Sequence, residues 1–101
     1  MDKNIRISML LDIYGKLLTT KQFDAVDFYY NQNLSLSEMA EEFSTTRQGA
    51  RKSLIEGEKN LIEFEEKLHI LQDKLEKQKI IENIIKETED VKIKEKLQKL
   101  L

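Results

Sequence analysis

The sequence predicts an all-α protein in which a helix-turn-helix bundle precedes a long helical or coiled-coil extension. Two observations predict this fold class. The chain of 101 residues has no Pro and only three Gly, and 40% hydrophobic with 36% charged residues is typical of helical proteins. Apolar residues also recur at spacings of three, four and seven, which place them on one helix face. We expect residues 1–56 to form the bundle and residues 57–101 an extension continuous with its last helix.

The first two helices are predicted from periodicity and from a start signal. An amphipathic helix is expected from about Ile5 to Leu17, and its apolar residues are Ile7, Leu10, Leu11, Tyr14 and Leu18. Thr19 and Gln22 then form a capping box that opens a second helix, which ends near Asn31. The polar residues 31–33 are turn-prone and lead into the next helix.

A helix-turn-helix pair is predicted over residues 35–54. Ser35 and Glu38 form a second capping box. The apolar stripe that follows is made of Leu36, Met39, Ala40 and Phe43. Thr46 is a good N-cap for the next helix, from which Ala50 and Leu54 turn inward. In such a motif the second helix usually enters the major groove of DNA.

The outer side of this second helix is the candidate nucleic-acid site. Its polar residues are Arg47, Gln48, Arg51 and Lys52, preceded by Thr45 and Thr46 at the helix N-terminus. Arg pairs with guanine and Gln with adenine, and unpaired N–H groups at a helix start attract phosphate. The alternatives are a solvated helix face for the four polar residues and simple capping for Thr46.

These residues resemble the YlxM family of small bacterial proteins, whose helix-turn-helix is similar to region four of sigma factors. The resemblance spans roughly residues 5–70. It is carried by Leu17-Leu18-Thr19-Thr20-Lys21-Gln22, Tyr29-Tyr30-Asn31, Leu34-Ser35-Leu36-Ser37-Glu38-Met39-Ala40-Glu41-Glu42 and Arg47-Gln48. Two positions depart from the family pattern, because Ser44 replaces the usual turn Gly and Gly49 replaces a helix Ala.

The resemblance implies an accessory or regulatory role in the signal recognition particle pathway, and no enzymatic activity or cofactor. Two mechanisms remain open. The second helix binds DNA or the particle's RNA, or the domain contacts the particle's GTPase or its receptor. A third hypothesis is a dimeric DNA-binding transcriptional regulator unrelated to protein targeting. The net charge of −2 argues against unspecific nucleic-acid binding, although residues 47–55 carry three cations and no acid.

The C-terminal half predicts one long helix and a homodimer. A helix from Thr46 to about Gln78 is expected, with a heptad seam beginning at Leu54. The predicted dimer interface consists of Leu61, Phe64, Leu68, Leu71 and Leu75. A cluster of Ile80, Ile81, Ile84 and Ile85 follows, and Asp90 is expected to cap a last helix.

Several classes of protein and site are disfavoured by the sequence. No stretch approaches the ~20 apolar residues that a transmembrane helix needs, so no membrane insertion is expected. The chain has no Cys, and the N-terminus lacks the features of a signal peptide, so a cytoplasmic location is expected. The single histidine, His69, lies between Leu68 and Ile70 without the clustered partners that metal binding or catalysis needs.

Overall fold

The computed structural model describes residues 1–101 and confirms the all-α prediction. A short 3-10 turn, Gly15–Leu17, follows the first of six helices. The helices are α1 (Lys3–Tyr14), α2 (Thr20–Tyr30), α3 (Leu36–Glu42), α4 (Arg47–Leu68), α5 (Ile70–Glu87) and α6 (Val91–Gln98). The chain divides into two compact units, Met1–His69 and Ile70–Leu101.

The predicted helix starts are confirmed by their hydrogen bonds. At α2, the Thr19 hydroxyl accepts from the Gln22 N–H at 3.2 Å, and the Gln22 side chain accepts from the Thr19 N–H. Ser35 and Glu38 form the same reciprocal pair at α3, with both bonds at 3.1 Å. Thr46 caps α4 by accepting from the Gly49 N–H at 3.0 Å. At the start of each of these three helices, a hydroxyl group therefore accepts a hydrogen bond from a backbone N–H that has no partner inside the helix.

The turn between α3 and α4 is a Schellman motif built on a serine. Ser44 has φ of 51°, and the Thr45 N–H donates to the Ala40 carbonyl at 2.9 Å. The Ser44 N–H donates to the Glu41 carbonyl at 3.2 Å. Gly usually occupies this left-handed position because it has no Cβ. The residue that departs from the family pattern therefore carries backbone strain here.

The core of the first unit is organised around α4, which packs against α1, α2 and α3. The buried side chains that α4 contributes to this core are Ala50, Leu54 and Leu61. The prediction that Ala50 and Leu54 turn inward is therefore confirmed. The buried apolar side chains of the other three helices are Ile7, Leu10, Leu11, Tyr14, Ala25, Val26, Met39 and Ala40. The small Gly57 permits a close approach, because a Cβ there would lie 2.7 Å from Val26 Cγ2 of α2.

The prediction of a single helix from Thr46 to about Gln78 is wrong. The helix α4 ends at Leu68 because His69 adopts the left-handed conformation, with φ of 55°, and α5 starts at Ile70. The His69 N–H still donates to the Glu65 carbonyl at 2.9 Å, so His69 closes the last turn of α4. The expected boundary at residue 56 falls inside α4, whereas the two units divide between residues 69 and 70.

The leucines predicted as a dimer stripe do not form one exposed surface. Leu61 is 0% exposed and Leu71 is 4% exposed, so this chain already buries both side chains. Phe64 is half-buried, and its ring centroid lies 5.9 Å from that of Tyr14. Leu68 is 50% exposed and Leu75 is half-buried. The heptad spacing at Leu61 and Leu71 therefore coincides with burial within this chain, and the homodimer through these residues stays a prediction.

The second unit consists of α5 and α6, which pack against each other. The predicted cap of α6 is confirmed, because the Asp90 carboxylate accepts from the N–H groups of Lys92 at 2.9 Å and Ile93 at 3.2 Å. In the isoleucine cluster, Ile80 and Ile84 are exposed, whereas Ile81 and Ile85 are half-buried. No helix in the chain combines the length and the apolar character needed to cross a membrane.

Candidate nucleic-acid interface

The first turns of α4 present the predicted site on the surface opposite the core. The basic face, defined as Arg47, Gln48, Arg51 and Lys52, is exposed at all four positions. Ala50, Ser53 and Leu54 of the same turns are buried, which fixes the direction in which the basic face points. An open depression of about 720 Å³ is lined by the four residues of the basic face together with Leu36, Ile55 and Glu56.

Two of the three cations on the basic face are free of salt bridges. Lys52 Nζ lies 3.9 Å from Glu56 Oε1, and both side chains are well exposed, so this pair is weak. Arg47 and Arg51 make no salt bridge with any carboxylate of the chain. Their guanidinium groups are therefore available to a phosphate or to the acceptor edge of a base.

The preceding helix of the motif is acidic. Glu38, Glu41 and Glu42 are all exposed on α3. The Glu38 carboxylate accepts from the Ser35 backbone N–H, which lowers the pKa of Glu38 below its ordinary value, and the Ser35 hydroxyl bond lowers it further. Glu38 is therefore ionised at neutral pH. Because α3 would repel a phosphate backbone, electrostatic attraction in this motif is confined to α4.

The two threonines before α4 hold its N-terminus in place. The Thr46 side chain accepts from the Gly49 N–H, so capping is its role in the isolated chain. Thr45 is half-buried, and its hydroxyl oxygen lies only 2.5 Å from the position that a Cβ at residue 49 would occupy. A Cβ at residue 49 would therefore require the Thr45 side chain to rotate away. The Thr45 hydroxyl occupies the space that the usual Ala side chain would fill.

Two tyrosine–glutamate hydrogen bonds support α4 and were not predicted from the sequence. The buried Tyr14 hydroxyl donates to Glu65 Oε1 at 2.6 Å, and the Tyr30 hydroxyl donates to Glu58. Burial and then the bond to Glu58 raise the pKa of Tyr30 above its ordinary value. Neither pair has a sequence signal, because the partners are 51 and 28 residues apart.

Two further residues of types that often occur in binding or catalytic sites, Tyr29 and His69, lie on the surface. Tyr29 is 40% exposed and contacts the Tyr30 ring edge to face at a centroid distance of 5.1 Å, although the apolar spacing of the two tyrosines in the sequence is that of core residues. His69 is exposed and terminates α4. Across the chain, the structure places no three His, Cys, Asp or Glu side chains where they could hold a metal ion together.

Comparisons with known proteins agree with this motif. A family model described as "Putative helix-turn-helix protein, YlxM / p13 like" (UPF0122) matches residues 1–101. A UPF0122 protein of Clostridium kluyveri is 47% identical over 74 residues, which cover 73% of this chain and 67% of the relative. One from Clostridium botulinum is 39% identical over 90 residues, covering 89% and 83%. One from Clostridium perfringens is 37% identical, and the alignment covers 100% of this chain and 98% of the relative.

Proposed function

Because the chain belongs to the YlxM/p13-like (UPF0122) family of helix-turn-helix proteins, we propose that it is a regulatory protein that binds nucleic acid through the basic face of α4. The observation that carries this proposal is the pair of unpaired, exposed guanidinium groups of Arg47 and Arg51 in the first turns of α4. These turns are the part of a helix-turn-helix that usually reaches base edges. The function is one of binding and not of catalysis.

The basic face has the chemistry for two kinds of contact. Arg47, Arg51 and Lys52 supply positive charge for phosphates, and Arg also forms two parallel hydrogen bonds with guanine. Gln48 matches the donor and acceptor of adenine. The acidic α3 and the net charge of −2 oppose any contact outside this face. We therefore expect weak binding that falls steeply with salt concentration.

The biological setting that we propose is the signal recognition particle pathway, which the YlxM resemblance implies. In this setting the nucleic acid is DNA or the particle's RNA. A second mechanism is contact with the particle's GTPase or its receptor. It is favoured by the acidic α3 beside the basic face, because neighbouring charges of both signs suit a protein surface better than a phosphate backbone.

The test compares wild type with the triple variant Arg47→Ala/Arg51→Ala/Lys52→Ala in two assays. The first measures retention of duplex DNA and of particle RNA over a range of salt concentrations. Each lost phosphate contact should reduce the slope of log K against log salt by about 0.9 for a duplex, so three lost cations reduce it by up to ~3 per chain. The second assay measures GTP hydrolysis by the particle–receptor pair.

A matched control removes the same charge elsewhere. Lys74→Ala/Lys77→Ala/Lys79→Ala changes three exposed lysines of α5 and should leave retention unchanged. Loss of retention only in the α4 variant supports the nucleic-acid mechanism. An effect on GTP hydrolysis without nucleic-acid retention in the wild type supports the protein-contact mechanism. Retention of duplex DNA with no effect on GTP hydrolysis and no RNA binding supports a transcriptional regulator unrelated to protein targeting.

A further inference from the structure

The depression beside the basic face is lined by apolar as well as charged side chains. Ile55 follows Arg51 by four residues and Lys52 by three, so it lies on the same side of α4, one turn further along the helix. It is 46% exposed. Leu36, the first residue of α3, is half-buried and lines the depression together with Ile55. These two residues, which we call the apolar pair, offer apolar surface beside the cations of the basic face.

The shape and lining of the depression suit a flat group with an apolar face and a polar edge. Its volume of about 720 Å³ lies within the ~300–1,000 Å³ typical of ligand sites. A nucleobase is such a group, because its face stacks and its edge carries hydrogen-bond donors and acceptors. In a duplex the faces are stacked on neighbouring bases, so a protein meets only the edges in the grooves. The apolar pair can therefore contact a base face only when the base is unpaired.

The acidic α3 opposes the docking geometry that a duplex requires. In a helix-turn-helix bound to DNA, the first helix crosses the phosphate backbone while the second lies in the major groove. Here that first helix is α3, which carries the exposed acids Glu38, Glu41 and Glu42 and no Lys or Arg. A single strand has only one backbone, which can follow the basic face without crossing α3. The charges of the motif therefore favour a single strand over a duplex.

We propose, resting on the function proposed above, that the basic face binds single-stranded nucleic acid and that one unpaired base occupies the depression. The base stacks on the guanidinium plane of Arg51, which makes no salt bridge and lies one turn before Ile55. Guanidinium planes are among the surfaces on which proteins stack unpaired bases. The apolar pair contacts the base as well, and removing these apolar surfaces from water adds affinity that does not depend on charge.

The charges around the depression determine where the backbone of the strand passes. Arg47 lies in the first turn of α4, whereas Glu56 lies nine residues further, roughly 13–14 Å along the helix axis. Lys52 Nζ is 3.9 Å from Glu56 Oε1, so these two residues together carry no net charge. The net positive charge of the depression is therefore that of Arg47 and Arg51. A phosphate of the strand pairs with Arg47, and the neighbouring base turns toward Arg51 and the apolar pair.

The first test is fluorescence anisotropy of the full chain with three labelled probes. They are a mixed-sequence strand of about 12 nucleotides, within the ~4–16 that single-strand sites cover, the same strand annealed to its complement, and a strand of abasic sites. One stacked base contributes about five- to a hundredfold in affinity. The strand should therefore bind at least ~5-fold more tightly than the duplex, although the duplex has more phosphates. The abasic strand should bind no more tightly than the duplex.

Substitutions at Ile55 separate the apolar contribution from the electrostatic one. Ile55→Gln should weaken binding of the strand by about fivefold and leave the slope of log K against log salt unchanged, because no charge is altered. Arg47→Ala should instead reduce that slope by about 0.7, the contribution of one phosphate contact on a single strand. Ile84→Gln is the matched control, because Ile84 belongs to α5 and is 41% exposed, and it should bind the strand like the wild type.

A gain of affinity provides a second variant at the same position. Ile55→Tyr enlarges the stacking surface, so it should tighten binding of the strand and not of the duplex. Thermal unfolding of both Ile55 variants should resemble that of the wild type, because the side chain is exposed. Strands of RNA and of DNA distinguish the two sources of the ligand. Tighter binding of RNA indicates contact with the 2′-hydroxyl, and equal affinities indicate that base and phosphate suffice, so both results support the proposal.

Three results would overturn the single-strand proposal and leave the proposed function standing. The first is a duplex that binds as tightly as the strand or more tightly. The second is an abasic strand that binds as tightly as the strand with bases. The third is unchanged affinity for the strand in both Ile55 variants while Arg47→Ala weakens binding. If the wild type binds none of the probes, the proposed function itself fails, and the single-strand proposal fails with it.

Discussion

Replacing Gly57 by Ala tests how tightly α4 and α2 approach each other. A Cβ at residue 57 would lie 2.7 Å from Val26 Cγ2 and 3.1 Å from the Gln22 backbone oxygen. Val26 is fully buried, and the Gln22 oxygen belongs to the first turn of α2, so neither atom can move away without shifting the helix. The added methyl group must therefore be accommodated by displacement of the two helices.

The size of the effect follows from two opposing contributions. Ala is favoured over Gly in a helix interior by up to ~1 kcal/mol. Forcing an extra methyl group into a packed core costs about 1–3 kcal/mol. A separation of 2.7 Å is much shorter than a normal van der Waals contact, so we expect a packing cost in the upper part of that range. After the gain in helix propensity is subtracted, Gly57→Ala should lower the free energy of unfolding by about 1–2 kcal/mol. For a unit of this size, each kcal/mol shifts Tm by ~4–8 °C.

The measurement is urea denaturation followed by circular dichroism on a double-mutant cycle. Val26→Ala removes the methyl group that the new Cβ would meet. The loss in Gly57→Ala/Val26→Ala should therefore be smaller than the sum of the two single losses, by about 1 kcal/mol. If Gly57→Ala is as stable as the wild type, or more stable, the reasoning from close approach fails. Strictly additive losses would show that Val26 is not the obstacle.

Three further predictions concern α4 and the turns around it. Gly49→Ala should stabilise the protein by clearly less than the ~1 kcal/mol that helix propensity offers, because Thr45 Oγ1 lies 2.5 Å from the new Cβ and must rotate away. Urea denaturation should reveal the full gain when the same change is made in a Thr45→Ala background, and a full gain with Thr45 intact would contradict the contact. Ser44→Gly should raise the free energy of unfolding by up to ~1 kcal/mol, because residue 44 has φ of 51° and Gly adopts this conformation without strain. Thermal unfolding checks this, and an unchanged or lower Tm would show that the turn is not strained. Tyr30→Phe should flatten the pH dependence of stability in alkali, because burial and the bond to Glu58 raise the pKa of Tyr30 in the folded state. This contribution is fully present below the ordinary tyrosine pKa of ~10 and is lost as pH rises through the raised value. Urea curves at increasing alkaline pH should converge for the two proteins, and parallel curves would exclude the effect.

The features predicted correctly from the sequence are those encoded by neighbouring residues. Thr19, Ser35, Thr46 and Asp90 each cap a helix through N–H groups two or three residues ahead, so a short window contains the whole signal. The outward direction of the basic face was also predictable, because the helical period sets it opposite the buried Ala50 and Leu54. What the basic face binds is a property of a second molecule, and it stays a prediction.

The features that were missed depend on distant residues or on an unsignalled backbone conformation. His69 ends α4 in the left-handed region, where Gly or Asn would have given a visible stop. A heptad pattern does not distinguish a leucine buried within its own chain from one buried by a partner chain, and Leu61 is buried within its own chain. The Tyr14–Glu65 hydrogen bond joins residues 51 positions apart, so no local sequence pattern predicts it.

The central position of α4 has a consequence for the order of events during synthesis. The helices α1, α2 and α3 leave the ribosome first, but all three pack against a helix that begins only at Arg47. Leu61, which is fully buried, and Glu65, which accepts the Tyr14 hydroxyl, are among the last residues of the first unit to be made. A nascent chain that stops before them cannot close its core. The unit must therefore fold as a whole once about two-thirds of the chain has emerged, and not helix by helix.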